Sequence, residues 1–242
     1  MPHAGAVVAR AVELALKGEV EALMKGSLHT DELMSAVVAS ALRTDRRMSH
    51  CFIMQTPAYP RPFIITDAAL NIAPTLKDKA DIIRNAVDLA HAFGIARPHV
   101  AILAAVETIN PNMPATLDAA ALCKMADRGQ IAGAVLDGPL AFDNAVSAAA
   151  ARTKGIVSPV AGSADILVVP DLEAGNMLAK QLEYLGGAAS AGIVLGARVP
   201  IVLTSRADPR EARIGSCAVA LVVARRLSRP AAVTVAPRKQ AA

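Results

Sequence analysis

Apolar residues follow two periods along this chain, one typical of amphipathic helices and the other of buried strands. The helical period occurs in segments 6–17, 30–42, 76–93, 115–126, 142–151 and 174–185. Short apolar runs that predict strands occupy 21–24, 49–55, 63–66, 100–104, 134–136, 166–169, 193–195 and 201–203. Helices and strands therefore alternate, which predicts an α/β fold with a mainly parallel sheet and helices on both faces.

Polar or glycine residues end most of the predicted strands. The five ends are Met24-Lys25-Gly26, Thr66-Asp67, Leu136-Asp137-Gly138-Pro139, Pro170-Asp171 and Thr204-Ser205-Arg206. Ligands of open parallel α/β sheets bind along the carboxyl edge of the strands. We therefore expect at least three of these ends to line one cleft. Taken singly, Asp137 has the alternative of an ordinary turn, and Asp171 that of a helix cap.

The segment 196–221 carries the densest group of phosphate-binding features. Its strand runs into Thr204-Ser205-Arg206-Ala207-Asp208, and a helix then begins with Asp208 as N-cap, Pro209 at the first position and Glu211 in the first turn. The Arg206 guanidinium is a planar donor to phosphate oxygens, and the N–H groups of a first helical turn attract anions. This strand-to-helix turn is therefore the predicted anion site.

Composition narrows the class of protein. The 242 residues are 54% hydrophobic without any Trp, which suits close packing of small side chains in one large or two modest α/β domains. The apolar runs are too short to cross a membrane and no signal-peptide core is visible, so we expect a cytoplasmic protein without a membrane partner. A net charge of +4 with few aromatic residues gives little support for nucleic-acid binding. Three cysteines without a CxxC motif indicate reduced thiols and no metal site.

Six segments spread over about 20–220 carry a resemblance to a known family. They are MKGSLHTDEL, ITDAALNIAPT, AAVETINPNMPAT, LDGPLAFDNAVS, ADILVVPDLEAGNMLAKQL and GARVPIVLTSRAD. Together they resemble the phosphate acetyl/butyryl transferase family, and three of them (AAVETINPNMPAT, DNAVS and TSRAD) are closer to its butyryltransferase branch. The resemblance implies an acyltransferase that exchanges an acetyl or butyryl group between coenzyme A and inorganic phosphate. Coenzyme A is then a substrate, and no tightly bound cofactor or metal is expected.

The resemblance also implies an architecture. It is a three-layer α/β/α fold like that of isocitrate and isopropylmalate dehydrogenases, in which two domains flank a cleft, and such proteins are usually homodimers. On this pattern 1–45 and 193–242 form the first domain and 46–192 the second. Members of the family carry a further α/β region before the MKG segment, so we expect the first domain to be incomplete. Apolar helix faces at 7–16 and 214–223 then lack packing partners, which favours dimerisation or aggregation and weak activity.

The resemblance assigns roles around the predicted anion site. Arg206 is the candidate for holding phosphate, with a surface arginine that caps a neighbouring element as its alternative. Ser205 is the candidate donor to the thioester carbonyl oxygen or to the thiol sulfur, with a simple turn hydroxyl as its alternative. Acetyltransferases of the family have an Asp where this chain has Ala212, so the base is Asp208 or Glu211, although both also fit a helix start. Weaker substrate-binding candidates, each with an alternative as a turn, helix cap or core hydrogen bond, are Lys25, Gly26, Asp137, Asn176 and Thr204.

Two other functions stay open. An NAD-dependent decarboxylating dehydrogenase on the same fold needs clustered carboxylates for a divalent ion, for which Asp67, Asp137 and Asp171 are the candidates. A non-catalytic coenzyme-A-binding remnant is the second alternative. Release of thiol from acyl-CoA in the presence of phosphate separates these from the transferase.

Overall fold

The computed structural model describes residues 4–205 and 207–228, which form eight helices and eight strands. The helices are α1 Ala4–Leu16, α2 Thr30–Val38, α3 Leu76–Ala92, α4 Pro114–Asp127, α5 Phe142–Val146, α6 Ala148–Thr153, α7 Leu172–Tyr184 and α8 Arg210–Leu227. The strands are β1 Leu23–Met24, β2 Ser49–Gln55, β3 Phe63–Thr66, β4 His99–Leu103, β5 Val135–Leu140, β6 Ile166–Val168, β7 Ala189–Leu195 and β8 Ile201–Val202. Within these residues no helix is both long enough and apolar enough to cross a bilayer.

All eight strands of the described residues join one sheet in the order β1-β8-β7-β2-β3-β6-β4-β5. The pairs β1/β8, β3/β6, β6/β4 and β4/β5 are parallel, whereas β8/β7, β7/β2 and β2/β3 are antiparallel. The predicted α/β class is confirmed, but the sheet is mixed. The connections from β2 to β3 and from β7 to β8 are too short for the crossover that parallel neighbours need.

Helices cover both faces of this sheet. On one face α3, α4 and α8 pack on alternate strand residues such as Cys51, Val100 and Ile193. On the other face the strands meet α5 and α7 around Met54 and Leu167, and α1 and α2 close the β1–β8 end. Since successive strand residues point to opposite faces, both faces bury apolar side chains, as the near-continuous apolar runs predict.

Two predicted helices are shorter than their apolar pattern. The helix predicted for 30–42 ends at Val38, because the Ser40 hydroxyl donates to the Val37 carbonyl at 2.8 Å and accepts the Leu42 N–H at 3.1 Å. The helix predicted for 142–151 is divided at Ser147, whose hydroxyl accepts the Ala150 N–H at 3.2 Å and caps α6. Serine side chains compete for backbone groups in this way and favour turns and caps over helix interiors.

The strand predicted to end at Leu136 continues to Leu140 instead. It includes Gly138 and Pro139, which the sequence suggested as a turn. A proline lacks the N–H of a ladder hydrogen bond, so within sheets it is confined largely to edge strands. β5 is the last strand of the sheet and can therefore accept Pro139.

His50 is a buried titratable group inside β2. It is 1% exposed, its ring stacks edge-on against Phe52, and its Nδ1 finds no hydrogen-bond partner among the described residues. Burial, assisted by the positive charge of Lys180, lowers the pKa of His50 to about 3. The imidazole is therefore neutral in the folded protein, whereas it protonates near pH 6.5 once unfolded.

We expect the folded state to lose stability as the pH falls below about 6.5, because only the unfolded chain gains the His50 proton there. One such proton accounts for a slope of at most about 1.4 kcal/mol per pH unit. Urea titrations between pH 7.5 and 5 measure this slope in the wild type and in His50→Gln. Burial raises the pKa of Asp67, which has the opposite effect, but Asp67 is common to both proteins. Equal slopes in the two proteins would show that His50 is not the group responsible.

Candidate active site

Strand direction decides which of the predicted site residues meet. β1, β2 and β8 run one way, and β3 to β7 run the other way. We call the end of the sheet at which β1 and β8 finish the β8 edge. Lys25, Gly26, Thr204 and Ser205 leave the sheet at this edge.

The polar ends of other strands do not reach the β8 edge. Asp67 follows β3 and Asp171 follows β6, so both leave the sheet in the opposite direction, and Asp137 lies inside β5 rather than at its end. Two of the five strand ends therefore leave the sheet at the β8 edge, and the other three belong to strands that finish at the opposite edge. The five ends do not form one group, and a cleft lined by three of them stays a prediction. Strand direction reverses three times across the sheet between β8 and β3, because these neighbours pair antiparallel. A local sequence pattern does not indicate whether two strands pair parallel or antiparallel.

The turn that follows β8 is closed by backbone and side-chain hydrogen bonds. The Ser205 N–H donates to Oδ2 of Asp208 at 2.7 Å, and the Asp208 N–H donates to the Ser205 carbonyl at 3.2 Å. The Ser205 Oγ accepts the Ala207 N–H at 3.2 Å, and Thr204 at the start of the turn is buried. Arg206, the predicted phosphate ligand, lies outside the described residues. We name residues 204–208 the anion turn.

Asp208 does not cap α8 as predicted. The N-cap position is Pro209, which has no side chain to accept a hydrogen bond, and α8 begins at Arg210. The Asp208 carboxylate turns back to the Ser205 N–H instead, so it organises the anion turn rather than the helix. Glu211 lies in the first turn of α8 as predicted, is exposed, and makes no hydrogen bond or ion pair with the residues that the structure describes.

Lys25 and Gly26 lie at the β8 edge, where the Lys25 side chain is buried and hydrogen-bonded and the space around Gly26 is open. Lys25 is 7% exposed, and its ammonium donates to the Leu28 carbonyl at 3.1 Å and to the Gly26 carbonyl at 3.4 Å. These contacts fit the alternative of a strand-to-helix turn held by its own lysine. A Cβ on Gly26 would meet no atom within 4 Å, so no close packing demands glycine there.

Asp137 and Asn176 are not brought to the anion turn. β5 is six strand positions from β8, which is about 29 Å at about 4.8 Å per strand. The Oδ1 of Asp137 accepts the N–H of Gly138 at 2.9 Å. Asn176 lies near the start of α7, and its Nδ2 donates to the Ala68 carbonyl at 3.2 Å beyond β3. Both side chains thus make local hydrogen bonds to the backbone, as their alternative roles in a turn, helix cap or core hydrogen bond predict.

A cleft of about 590 Å³ opens beside the anion turn. It lies between the end of α7, the adjacent ends of β2 and β7, and the start of α8. Its lining is mostly small or apolar: Ile53, Met54, Pro62, Tyr184, Ala188, Ala189, Ala191, Ala207, Pro209, Ala212 and Gly215. Among the described residues, the charged side chains that line it are Glu183, Asp208 and Glu211. Sequence reasoning missed the contribution of α7, because only the folded sheet brings its C-terminal end to the start of α8.

The carboxylates of Asp67 and Asp171, suggested for a divalent ion, each accept hydrogen bonds from backbone N–H groups of the residues that follow them. Asp67 is buried and accepts the N–H groups of Ala69 and Leu70 at 3.1 and 3.0 Å, and burial raises its pKa. Asp171 caps α7 by accepting the Ala174 N–H at 2.8 Å. Among residues 4–205 and 207–228, no three His, Cys, Asp or Glu side chains are grouped as metal ligands. The structure thus gives the dehydrogenase alternative no carboxylate cluster.

The fold and the turn together define an α/β protein with a hydrogen-bonded strand-to-helix turn beside a cleft. The family described as phosphate acetyl/butaryl transferase matches residues 6–221, and the chain belongs to this family. The family resemblance stated from the six segments is therefore confirmed.

Individual relatives carry both names of the family. A phosphate acetyltransferase of Rickettsia prowazekii is 65% identical over 221 residues, covering 90% of this chain and 63% of that protein. A phosphate butyryltransferase of Clostridium acetobutylicum is 46% identical over 92% of this chain and 75% of that protein. A branched-chain phosphotransacylase structure from Enterococcus faecalis V583 has a TM-score of 0.84 at 35% identity, covering 91% of this chain and 79% of that chain. The chain thus spans less than two thirds of the Rickettsia protein, and its placement in the butyryltransferase branch stays a prediction.

Proposed function

We propose that this chain, alone or within a longer protein, exchanges an acetyl or butyryl group between coenzyme A and inorganic phosphate. The observation that supports this most directly is the anion turn, which stands at the start of α8 beside a cleft in a member of this family. Helix N-termini and backbone N–H groups favour anions such as phosphate. The proposal includes the two-domain division at 46 and 192, the dehydrogenase-like α/β/α architecture, a cytoplasmic homodimer, and the absence of a tightly bound cofactor.

The reaction is a substitution at the thioester carbonyl. A phosphate oxygen forms a bond to the carbonyl carbon, the C–S bond then breaks, and its electron pair leaves with the coenzyme A sulfur, which takes up a proton. Phosphate is largely a dianion near neutral pH and is already nucleophilic, so the protein mainly positions it and stabilises charge. In this proposal Arg206 holds the phosphate and the Ser205 hydroxyl donates to the carbonyl oxygen. Thr204, Lys25 and Gly26 border the site at the β8 edge.

Glu211 is the side chain we propose as the acid and base at the sulfur. Asp208 is occupied by the Ser205 N–H, whereas Glu211 is exposed, lines the cleft and makes no polar contact with the described residues. In the direction that makes acyl-CoA it removes the thiol proton, and in the other direction it returns that proton. Asp137 and Asn176 stay candidates for substrate binding, at positions away from the anion turn.

Glu211→Gln is expected to lower turnover by about thirtyfold at pH 7. A thiol with a pKa of about 8.5 is about 3% ionised there, so about thirtyfold is the cost of relying on the thiolate that is already present. The kcat/KM values of the two directions must fall by the same factor because the equilibrium constant is unchanged, and the loss should shrink above pH 8.5. Turnover measured from pH 6 to 9.5 tests this, with Glu173→Gln in the first turn of α7 as the matched control. A loss that is constant across this range would exclude proton transfer by Glu211.

Thiol release from acetyl-CoA and butyryl-CoA, with and without phosphate, tests the proposed function itself. Phosphate-dependent release with formation of acyl phosphate is the expected result, and the ratio of the two rates gives the acyl preference. Binding of coenzyme A without any release would instead favour the non-catalytic alternative. Reduction of NAD with a 2-hydroxy acid and a divalent ion would favour the dehydrogenase alternative.

A further inference from the structure

Lys180 is a charged residue of α7 that the proposed mechanism does not use. Its ammonium lies 2.7 Å from Oε2 of Glu183 and 3.9 Å from Oδ1 of Asp208. All three side chains are shielded from solvent to some degree, with side-chain exposures of 36% for Lys180, 14% for Glu183 and 18% for Asp208. One cation thus stands between two carboxylates, and the second carboxylate belongs to the anion turn.

These contacts form a network that joins β7, α7 and the anion turn beside the cleft. The Ser190 hydroxyl of β7 donates to Oε1 of Glu183 at 2.6 Å, and Glu183 pairs with Lys180. Lys180 faces Asp208, which accepts the Ser205 N–H at 2.7 Å. The ammonium also lies 6.0 Å from the ring centroid of Tyr184, which lines the same cleft. The polar contacts therefore run without a break from Ser190 to the anion turn.

The charges around the cleft indicate what the Lys180 contacts do for an anion bound there. Asp208 and Glu183 line a cleft beside the turn where we place the phosphate dianion, and two nearby carboxylates repel a dianion. Lys180 faces both and offsets their charge. Its ammonium lies 3.9 Å from Oδ1 of Asp208, and the other oxygen of this carboxylate accepts the Ser205 N–H.

We propose that Lys180 is a positioning residue that fixes the anion turn through Asp208 and makes the site permissive for phosphate. This inference rests on the proposed function for its phosphate part, whereas its structural part concerns the turn alone. Among the described residues no other cation pairs with Asp208, so removing the ammonium takes away the counter-charge that they supply. The carboxylate is then expected to turn towards water, which releases the Ser205 N–H and raises the negative potential at the phosphate position.

The test compares Lys180→Met with Lys180→Arg, which keeps the charge. Lys124→Met is the matched control, because Lys124 pairs with Asp127 at 2.7 Å in the same i, i+3 arrangement on α4, away from the cleft. Amide exchange at the Ser205 N–H reports the turn without any reference to activity. The KM for inorganic phosphate, measured against kcat in the acetyl-CoA assay, reports the charge effect.

Lys180→Met is expected to raise Ser205 exchange and the phosphate KM by about fivefold each, as for a partly exposed ion pair, with a smaller change in kcat. The KM effect should diminish as salt is raised from 0.05 to 0.5 M, and Lys180→Arg should stay within about twofold of the wild type. Should Lys180→Met fold poorly, Lys180→Gln gives the same comparison.

Two results would overturn the inference. One is Ser205 exchange and phosphate KM in Lys180→Met that match those of Lys124→Met. The other is an equal loss in Lys180→Arg and Lys180→Met, which indicates packing rather than charge. A wild type without phosphate-dependent thiol release would refute the proposed function, but Ser205 exchange would still decide whether Lys180 holds the turn.

Discussion

Arg206→Lys is expected to reduce kcat/KM for inorganic phosphate by a factor of about 10² while leaving the fold intact. Arginine presents a planar fork that matches two phosphate oxygens, whereas lysine offers a single point charge. Arg206 lies outside the described residues, so the expectation rests on its place in the sequence. In the sequence it stands between Ser205 and Ala207, after β8 and before α8, and the N–H groups of a first helical turn attract anions.

Initial rates at varied phosphate and fixed acetyl-CoA measure this effect, and thermal unfolding checks the fold. Arg213→Lys is the matched control, since Arg213 is an exposed arginine one turn into α8. A loss confined to phosphate, with the acetyl-CoA KM unchanged, is the expected pattern. Turnover and phosphate KM near the wild-type values in Arg206→Lys would remove Arg206 from the site.

Gly196→Ala is expected to destabilise the fold by about 3 kcal/mol, which combines an unfavourable backbone conformation with steric overlap. Gly196 joins β7 to β8 with φ at +89°, in the region that favours glycine. An added Cβ would lie 2.8 Å from the Arg47 carbonyl oxygen and 2.9 Å from the Met48 Cα, both of which are backbone atoms. The segment before β2 would therefore have to move away from the β7–β8 connection.

Gly187→Ala separates the two contributions. Gly187 also has a positive φ, at +63°, but it is exposed and a Cβ there would meet no atom within 4 Å. Only the backbone cost, about 1 kcal/mol, should appear in this variant. Urea unfolding at pH 7.5 gives both free energies. If the two variants lost equal free energy of unfolding, the contact of the added Cβ with the Arg47 and Met48 backbone would not contribute to the loss.

Local pattern predicted much of the fold because the signals involved are local. β2 and β3 have the bounds that their apolar runs predict, and α3 and α7 differ from prediction by only a few residues. Gly94, with φ at +85°, follows the end of α3 as a helix-terminating glycine should. The cap of α3 was missed, although the pattern Thr75-x-x-Asp78 is a capping box that the chain itself displays.

Competition between neighbouring hydrogen bonds is harder to predict. Asp208 before Pro209 and Glu211 has the sequence of a helix cap, yet its carboxylate accepts the Ser205 N–H three residues upstream. Both partners are available within a few residues, so the same side chain satisfies either arrangement. Which one forms depends on the path of the chain out of β8, and this path is set by the pairing of β8 with β1 and β7.

The sequence by itself determined the family and the α/β class, because both are encoded by contiguous residues whose types and spacing carry the signal. It also predicted an anion site between β8 and α8, which stays a prediction. Tertiary structure alone decided the direction of each strand, and with it the separation of Asp67, Asp137 and Asn176 from the anion turn. It also brought Lys180 of α7 to within 3.9 Å of Asp208. Strand pairing joins residues distant in sequence, and the apolar period that predicts a strand is the same whichever way the strand runs.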